Sequence, residues 1–140
     1  MAGLFLEDLS VGQSADYSRV VMAADIDAFA AVTGDDNPVH LDEAYATATQ
    51  FGGRIAHGML SAGYISAVLG GRLPGHGAIY LSQTLRFRRP VKIGDEVTAT
   101  ATITEIDAAR ARVTLKTVCS LAGSVVVDGE AVVLVPRKGA

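Results

Sequence analysis

The stretch DDNPVHLDEAYATATQFGGRIAHGMLSAGYIS, residues 35–66, gathers an acid, an amide and two of the chain's three histidines. Asp35 and His40 stand five apart with Pro38 between them. A continuous helix would turn residues five apart onto different faces, but a bent loop can bring both to one water molecule. A carboxylate that accepts from water, beside an imidazole that can hold or release a proton, is a general acid/base pair. Asp36 competes for the carboxylate role, and spacing alone does not choose between the two. Ordinary structural uses also exist: the acid can cap the next element, His40 can be a satisfied structural histidine, and Asn37 before Pro38 can form an Asx-type turn.

His57-Gly58 opens the second half of this stretch, and from Ile55 to Gly71 there is no Asp, Glu, Lys or Arg. If a helix begins there, its first N–H groups are unpaired and carry the positive end of the dipole, so an oxygen gaining negative charge is stabilised. Glycine at 58 lets a ligand approach the backbone, or permits tight packing. Ser66 on the same segment offers a hydroxyl or serves as a small packing residue. His76 stands between two glycines without a partner pattern. The histidines lack metal-ligand spacing and have no cysteine company, so no metal is expected. The glycine pairs at 52–53 and 70–71 are not followed by the Gly-Lys-Ser/Thr of a phosphate loop, and no Gly-x-Ser-x-Gly elbow is present. Arg86, Arg88, Arg89 and Lys92 form one basic cluster, suited to a solvated strand end or to a phosphorylated carrier.

The elements that must position these residues follow from periodicity. Gln13 to Val21 is strand-like, and AADIDAFAAVTG (residues 23–34) reads as a short helix ended by Gly34. That helix has Met22-Ala23-Ala24 where a Ser or Thr cap is usual. LDEAYATATQF (residues 41–51) resumes as an amphipathic helix with Asp42 as its cap, and Gly52-Gly53 breaks it. His57 to Gly70 is apolar on nearly every side and must be surrounded by protein. The rest is β: one strand over Ala78 to Phe87, then VTATATIT (residues 97–104), Arg112 to Leu121 and Val125 to Val135, alternating in hydrophobicity and spaced as an antiparallel meander. One strand, helices and four further strands make an α+β domain over residues 1–140. A curved antiparallel five-stranded sheet wrapped around a long central helix is a hot-dog fold, which commonly pairs edge to edge as a dimer.

Composition excludes several classes. With 140 residues the chain is one domain by size, and 49% apolar against 19% charged residues suggests a buried subunit interface. A net charge of −3 gives no electrostatic footprint for nucleic acid. The single cysteine, Cys119, sits in an alternating strand pattern and fits a buried residue in a reducing, cytoplasmic compartment. The N-terminus MAGLFLEDLSVG lacks a basic region and carries acids by residue 7, unlike a signal peptide. The uncharged run from Ile55 is shorter than the roughly 20 residues of a membrane span.

The runs FAAVTGDDNPVHLDEAYATATQFGGRIAHGMLSAGYISAVLG and RFRRPVKIGDEVTATATIT resemble the MaoC-like, (R)-specific enoyl-CoA hydratases with a single hot-dog domain, a likeness that covers residues 13–136. The resemblance implies that the catalytic acid is Asp35, not Asp36, and that its partner is His40. It implies that the Gly58 N–H receives the thioester oxygen, and that Asn37, His57 and Ser66 contact substrate. The implied reaction is reversible hydration of a trans-2-enoyl-CoA to an (R)-3-hydroxyacyl-CoA, within acyl-CoA and fatty-acid metabolism. No metal or redox cofactor is implied, coenzyme A being part of the substrate, and the implied assembly is a homodimer or a dimer of dimers. Neighbouring alternatives are a 3-hydroxyacyl-carrier-protein dehydratase and a hot-dog thioesterase, which attacks the carbonyl carbon instead of Cβ.

Overall fold

The computed structural model describes residues 3–140. Its sheet consists of β1 (Ser14–Val20), β2 (Ile79–Gln83), β3 (Arg86–Phe87), β4 (Glu96–Asp107), β5 (Arg112–Leu121) and β6 (Ser124–Leu134), all antiparallel. The lateral order is β1-β4-β5-β6-β2, and β3 also pairs with β6. The meander β4-β5-β6 forms as its alternation requires. Val97, Ala99, Ala101 and Ile103 on β4 and Val113, Leu115 and Cys119 on β5 are buried on one face. Full burial of each larger aliphatic side chain contributes about 1.5–3 kcal/mol. Thr117, the polar member of that row, is buried with its hydroxyl accepting from Gln83 Nε2 at 2.9 Å.

The single strand expected over 78–87 is broken into β2 and β3. Thr84 crosses close to β6 there, where Gly129 has no room for a side chain because a Cβ would collide with the Thr84 carbonyl. Thr84 stays bound to β6 through its N–H on the Glu130 carbonyl at 2.9 Å and its Oγ on the Glu130 N–H at 3.0 Å. The five expected strand positions survive, one of them shared by two short segments. β4 runs three residues past the expected end, after a register shift between Ile103 and Glu105.

Four helices lie between β1 and β2: α1 (Ala23–Thr33), α2 (Pro38–Leu41), α3 (Glu43–Thr47) and α4 (Gly58–Gly71). α4 packs on β1, β4, β5 and β6, burying the stripe Ser61, Tyr64, Ile65, Val68 and Leu69. Its apolar residues are therefore not all covered within one chain. Met59, Gly63, Ser66 and Ala67 stay exposed, a correction to the expectation of a helix enclosed on every side. None of the helices is long and apolar enough to cross a membrane.

Candidate active site

The site begins where α1 stops. α1 starts without a Ser or Thr cap; Asp25 in its first turn reaches back instead and accepts the N–H of the cap residue Met22 at 3.0 Å. Gly34 ends it in the left-handed region at φ 82°, returning its N–H to the Ala30 carbonyl at 2.8 Å. Asp35 follows at once, its N–H on Thr33 Oγ at 3.2 Å. His40 does not lie in a loop, as the turn signal at Asn37-Pro38 suggested, but on the one-turn helix α2. Asn37 caps α2, its Oδ1 accepting the Val39 N–H at 3.2 Å, and Pro38 takes the first helical position, where no N–H is needed. Asn37 thus commits its side-chain oxygen to the backbone. Asp42 caps α3 through the Tyr45 N–H at 3.0 Å.

Packing converges these pieces. Ligand-type atoms of Asp35, His40 and His57 all lie within 4.8 Å of one another. His40 Nδ1 is 2.8 Å from the Ile55 carbonyl oxygen, an atom that can only accept, so the neutral ring carries its proton on Nδ1. Nε2 is then left as a free lone pair, the form a general base requires. The Asp35 carboxylate accepts the Asn37 N–H at 3.4 Å. One nitrogen of each ring is engaged by a backbone carbonyl, Ile55 for His40 and Asp35 for His57, which fixes the orientation and tautomer of both rings and leaves one lone pair on each.

A cavity of about 320 Å³ opens beside the cluster, lined by His40, His57, Gly58 and Ser61, with Phe87, Arg88 and Arg89 at its β3 side. Gly58 is the first residue of α4, with its N–H at the positive helix end. Ser66 lies elsewhere, in a groove between the exposed face of α4 and β2 with Met59, Gly63, Tyr80 and Leu81. The serine that lines the His40 cavity within this chain is instead Ser61, one turn after Gly58. Sequence reasoning passed over Ser61, although the i, i+3 spacing from Gly58 was a usable signal.

Two further residues were not foreseen. Arg54 donates from Nε to the His40 carbonyl at 2.6 Å and pairs through Nη2 with Asp27 at 2.7 Å, tying α2 to α1. Phe87 covers Gly58 so closely that any side chain there would meet the ring. Beneath α4, the Cys119 thiol donates to the Ser61 carbonyl at 3.4 Å, and burial pushes its pKa up to about 12. That thiol is a packing group.

An antiparallel sheet folded about one helix defines the hot-dog class, and this one carries an acid/imidazole cluster at the head of that helix. Within it, the chain belongs to the MaoC-like dehydratase family, since the model for the MaoC like domain matches residues 8–123. It is 53% identical over 135 residues to the (R)-specific enoyl-CoA hydratase of Rhodospirillum rubrum, covering 96% of this chain and 94% of that one. Identity to the 3-hydroxybutyryl-CoA dehydratase of Methylorubrum extorquens is 51%, over 96% of this chain and 86% of the relative. Among solved structures, the R-hydratase PhaJ1 of Pseudomonas aeruginosa in its unliganded form superposes with a TM-score of 0.93 at 49% identity, covering 97% of this chain and 88% of that one.

Proposed function

We propose that the protein is an (R)-specific enoyl-CoA hydratase, adding water reversibly and on one face to trans-2-enoyl-CoA to give (R)-3-hydroxyacyl-CoA. The observation that carries the reading is the tautomer of His40: the Ile55 carbonyl holds its Nδ1–H and leaves Nε2 free beside Asp35. Asp35 and His40 would hold one water between them. Its oxygen forms the new bond to Cβ, the double-bond electrons move toward the thioester oxygen, and a proton returns to Cα on the same face. The charge gathering on that oxygen would be met by the Gly58 N–H. The two side chains act as one coupled unit, with no separate base and acid assigned. The chemistry needs neither metal nor redox cofactor.

Arg88 and Arg89 beside the cavity suit the phosphates of a phosphopantetheine carrier, either coenzyme A or an acyl carrier protein. The wider reading is a homodimer, joined along β2, in a reducing cytoplasmic setting that suits the free Cys119. Loss of the enoyl absorbance of crotonyl-CoA tests the activity directly, and thiol release instead would mark a thioesterase. Asp35→Asn and His40→Gln should each lower hydration by about 10²–10⁴-fold while the protein stays folded. Wild-type turnover in either variant would reject the assignment.

A further inference from the structure

His57 is 2% exposed, and its ring is engaged on several sides. The ring stacks on His40 with centroids 3.9 Å apart and planes 27° apart. It also packs against Phe29 of α1 at 4.6 Å, tilted by 45°. Nε2 lies 2.9 Å from the main-chain carbonyl oxygen of Asp35, which can only accept, so the ring proton is on Nε2. Nδ1 is then a lone pair, buried and without a partner among the described residues. The first residue before α4 therefore reaches both members of the acid/base pair, one by its ring and the other by its N–H.

From this we infer that His57 is a positioning residue for Asp35 and His40, not the substrate contact that the family resemblance implied; the inference rests on the hydratase reading above. Asp35 is exposed, and its other ties are local and long: its N–H to Thr33 Oγ at 3.2 Å and its carboxylate to the Asn37 N–H at 3.4 Å. The His57 bond at 2.9 Å comes from a residue 22 positions away and is the tie that joins the Asp35 backbone to the head of α4. His40 is held at one atom by the Ile55 carbonyl, and a ring anchored at one atom can still hinge about it. The stacked His57 ring blocks that hinge. Among aromatic side chains of this size, imidazole supplies a flat face and an N–H donor together: phenylalanine keeps the face without the donor, and glutamine keeps a donor without the aromatic face. A displacement of about 1 Å in a catalytic group costs about 100-fold in rate, so a residue that fixes both members acts on turnover while leaving substrate affinity alone.

The test compares His57→Phe, His57→Gln and His57→Ala with the wild-type enzyme, measuring kcat and KM for crotonyl-CoA and the thermal midpoint. Expected is a fall in kcat of about 10-fold for each of Phe and Gln and about 100-fold for Ala, with KM held within about twofold. A raised KM at unchanged kcat would make His57 a substrate contact, and wild-type kcat in the Ala variant would leave it no role; either overturns the inference. Should a variant fail to fold, nitrogen-15 NMR of histidine-labelled wild-type protein reads the same geometry without substitution. It should place the His57 proton on Nε2 and the His40 proton on Nδ1, and the opposite tautomer in either ring overturns the proposal. Wild-type protein that does not hydrate crotonyl-CoA sinks the hydratase reading itself, whereas active wild type with unaffected variants sinks the His57 role alone.

Discussion

The Phe87 ring fills the space that a side chain on residue 58 would need: a Cβ on Gly58 would lie 2.5 Å from Phe87 Cδ1 and 2.6 Å from Cε1. Glycine at the head of α4 is thus required by packing, whatever a substrate also requires there. In an open helix Gly→Ala gains about 0.5–1 kcal/mol. Here overpacking opposes that gain by about 1–3 kcal/mol, toward the low end because Phe87 is half exposed and can swing aside. Gly58→Ala is expected to destabilise in the wild-type background and to stabilise in a Phe87→Ala background. Urea melts of the two single variants and the double variant measure this cycle. A stabilising Gly58→Ala in the parent would refute the packing.

Asp25 is the second case, and it concerns stability against pH. Its carboxylate takes two hydrogen bonds from Arg19, at 2.7 and 3.1 Å, and one from the Met22 N–H at 3.0 Å. Chiefly through Arg19, these hold its pKa below the ordinary 3.8. A depressed folded-state pKa stabilises fully above the unfolded value and is lost as pH falls through the folded one. Asp25→Ala should cost about 1 kcal/mol at pH 7, the lost Arg19 pair and the lost acid in the first helical turn together. Thermal melts should show the gap between variant and parent closing below pH 3.8. An equal gap at pH 7 and pH 2.5 would contradict the assignment.

Cys119 provides a chemical test of the core. With a thiol pKa pushed up to about 12, roughly one molecule in 10⁴ carries the thiolate at pH 8, and the sulfur is sealed from solvent. A disulfide-exchange reagent should leave the native protein unlabelled and label it one-to-one in guanidinium. Fast labelling of the active native protein would mean that the strand face beneath α4 is open.

The β2 edge carries a prediction about assembly. Ile79, Tyr80 and Leu81 are exposed on a strand whose outer side pairs with nothing among the described residues, next to the exposed Met59 of α4. Such an edge is a template for a second strand. Leu81→Asp is expected to convert a dimer into monomers in analytical ultracentrifugation. A wild-type protein that sediments as a monomer would dispose of the edge-to-edge arrangement.

Much of the fold is local chemistry and could be read directly. Alternation over residues 97–104 and 112–121 named the buried rows of β4 and β5, because a strand shows its faces at period two. Gly34 and Asp42 marked helix ends through their own backbone and side-chain preferences. The break at Thr84 could not be read that way, since it arises from a close approach to Gly129, a residue far along the chain. The exposed face of α4 was likewise invisible: apolar composition says that a surface must be covered, but not by which chain.

By itself the sequence determined an α+β chain with an acid, an amide and an imidazole gathered around Pro38 and a glycine at the head of a helix. Motif resemblance then selected Asp35. Only the tertiary structure decided that His40 carries its proton on Nδ1, donated to the Ile55 carbonyl, that His57 faces inward to both members of the pair, and that Ser61, not Ser66, shares their cavity. These are contacts between elements, set by how α2, α4 and β3 pack against one another. Periodicity within one element fixes which face is buried, but not which atom of another element it will meet.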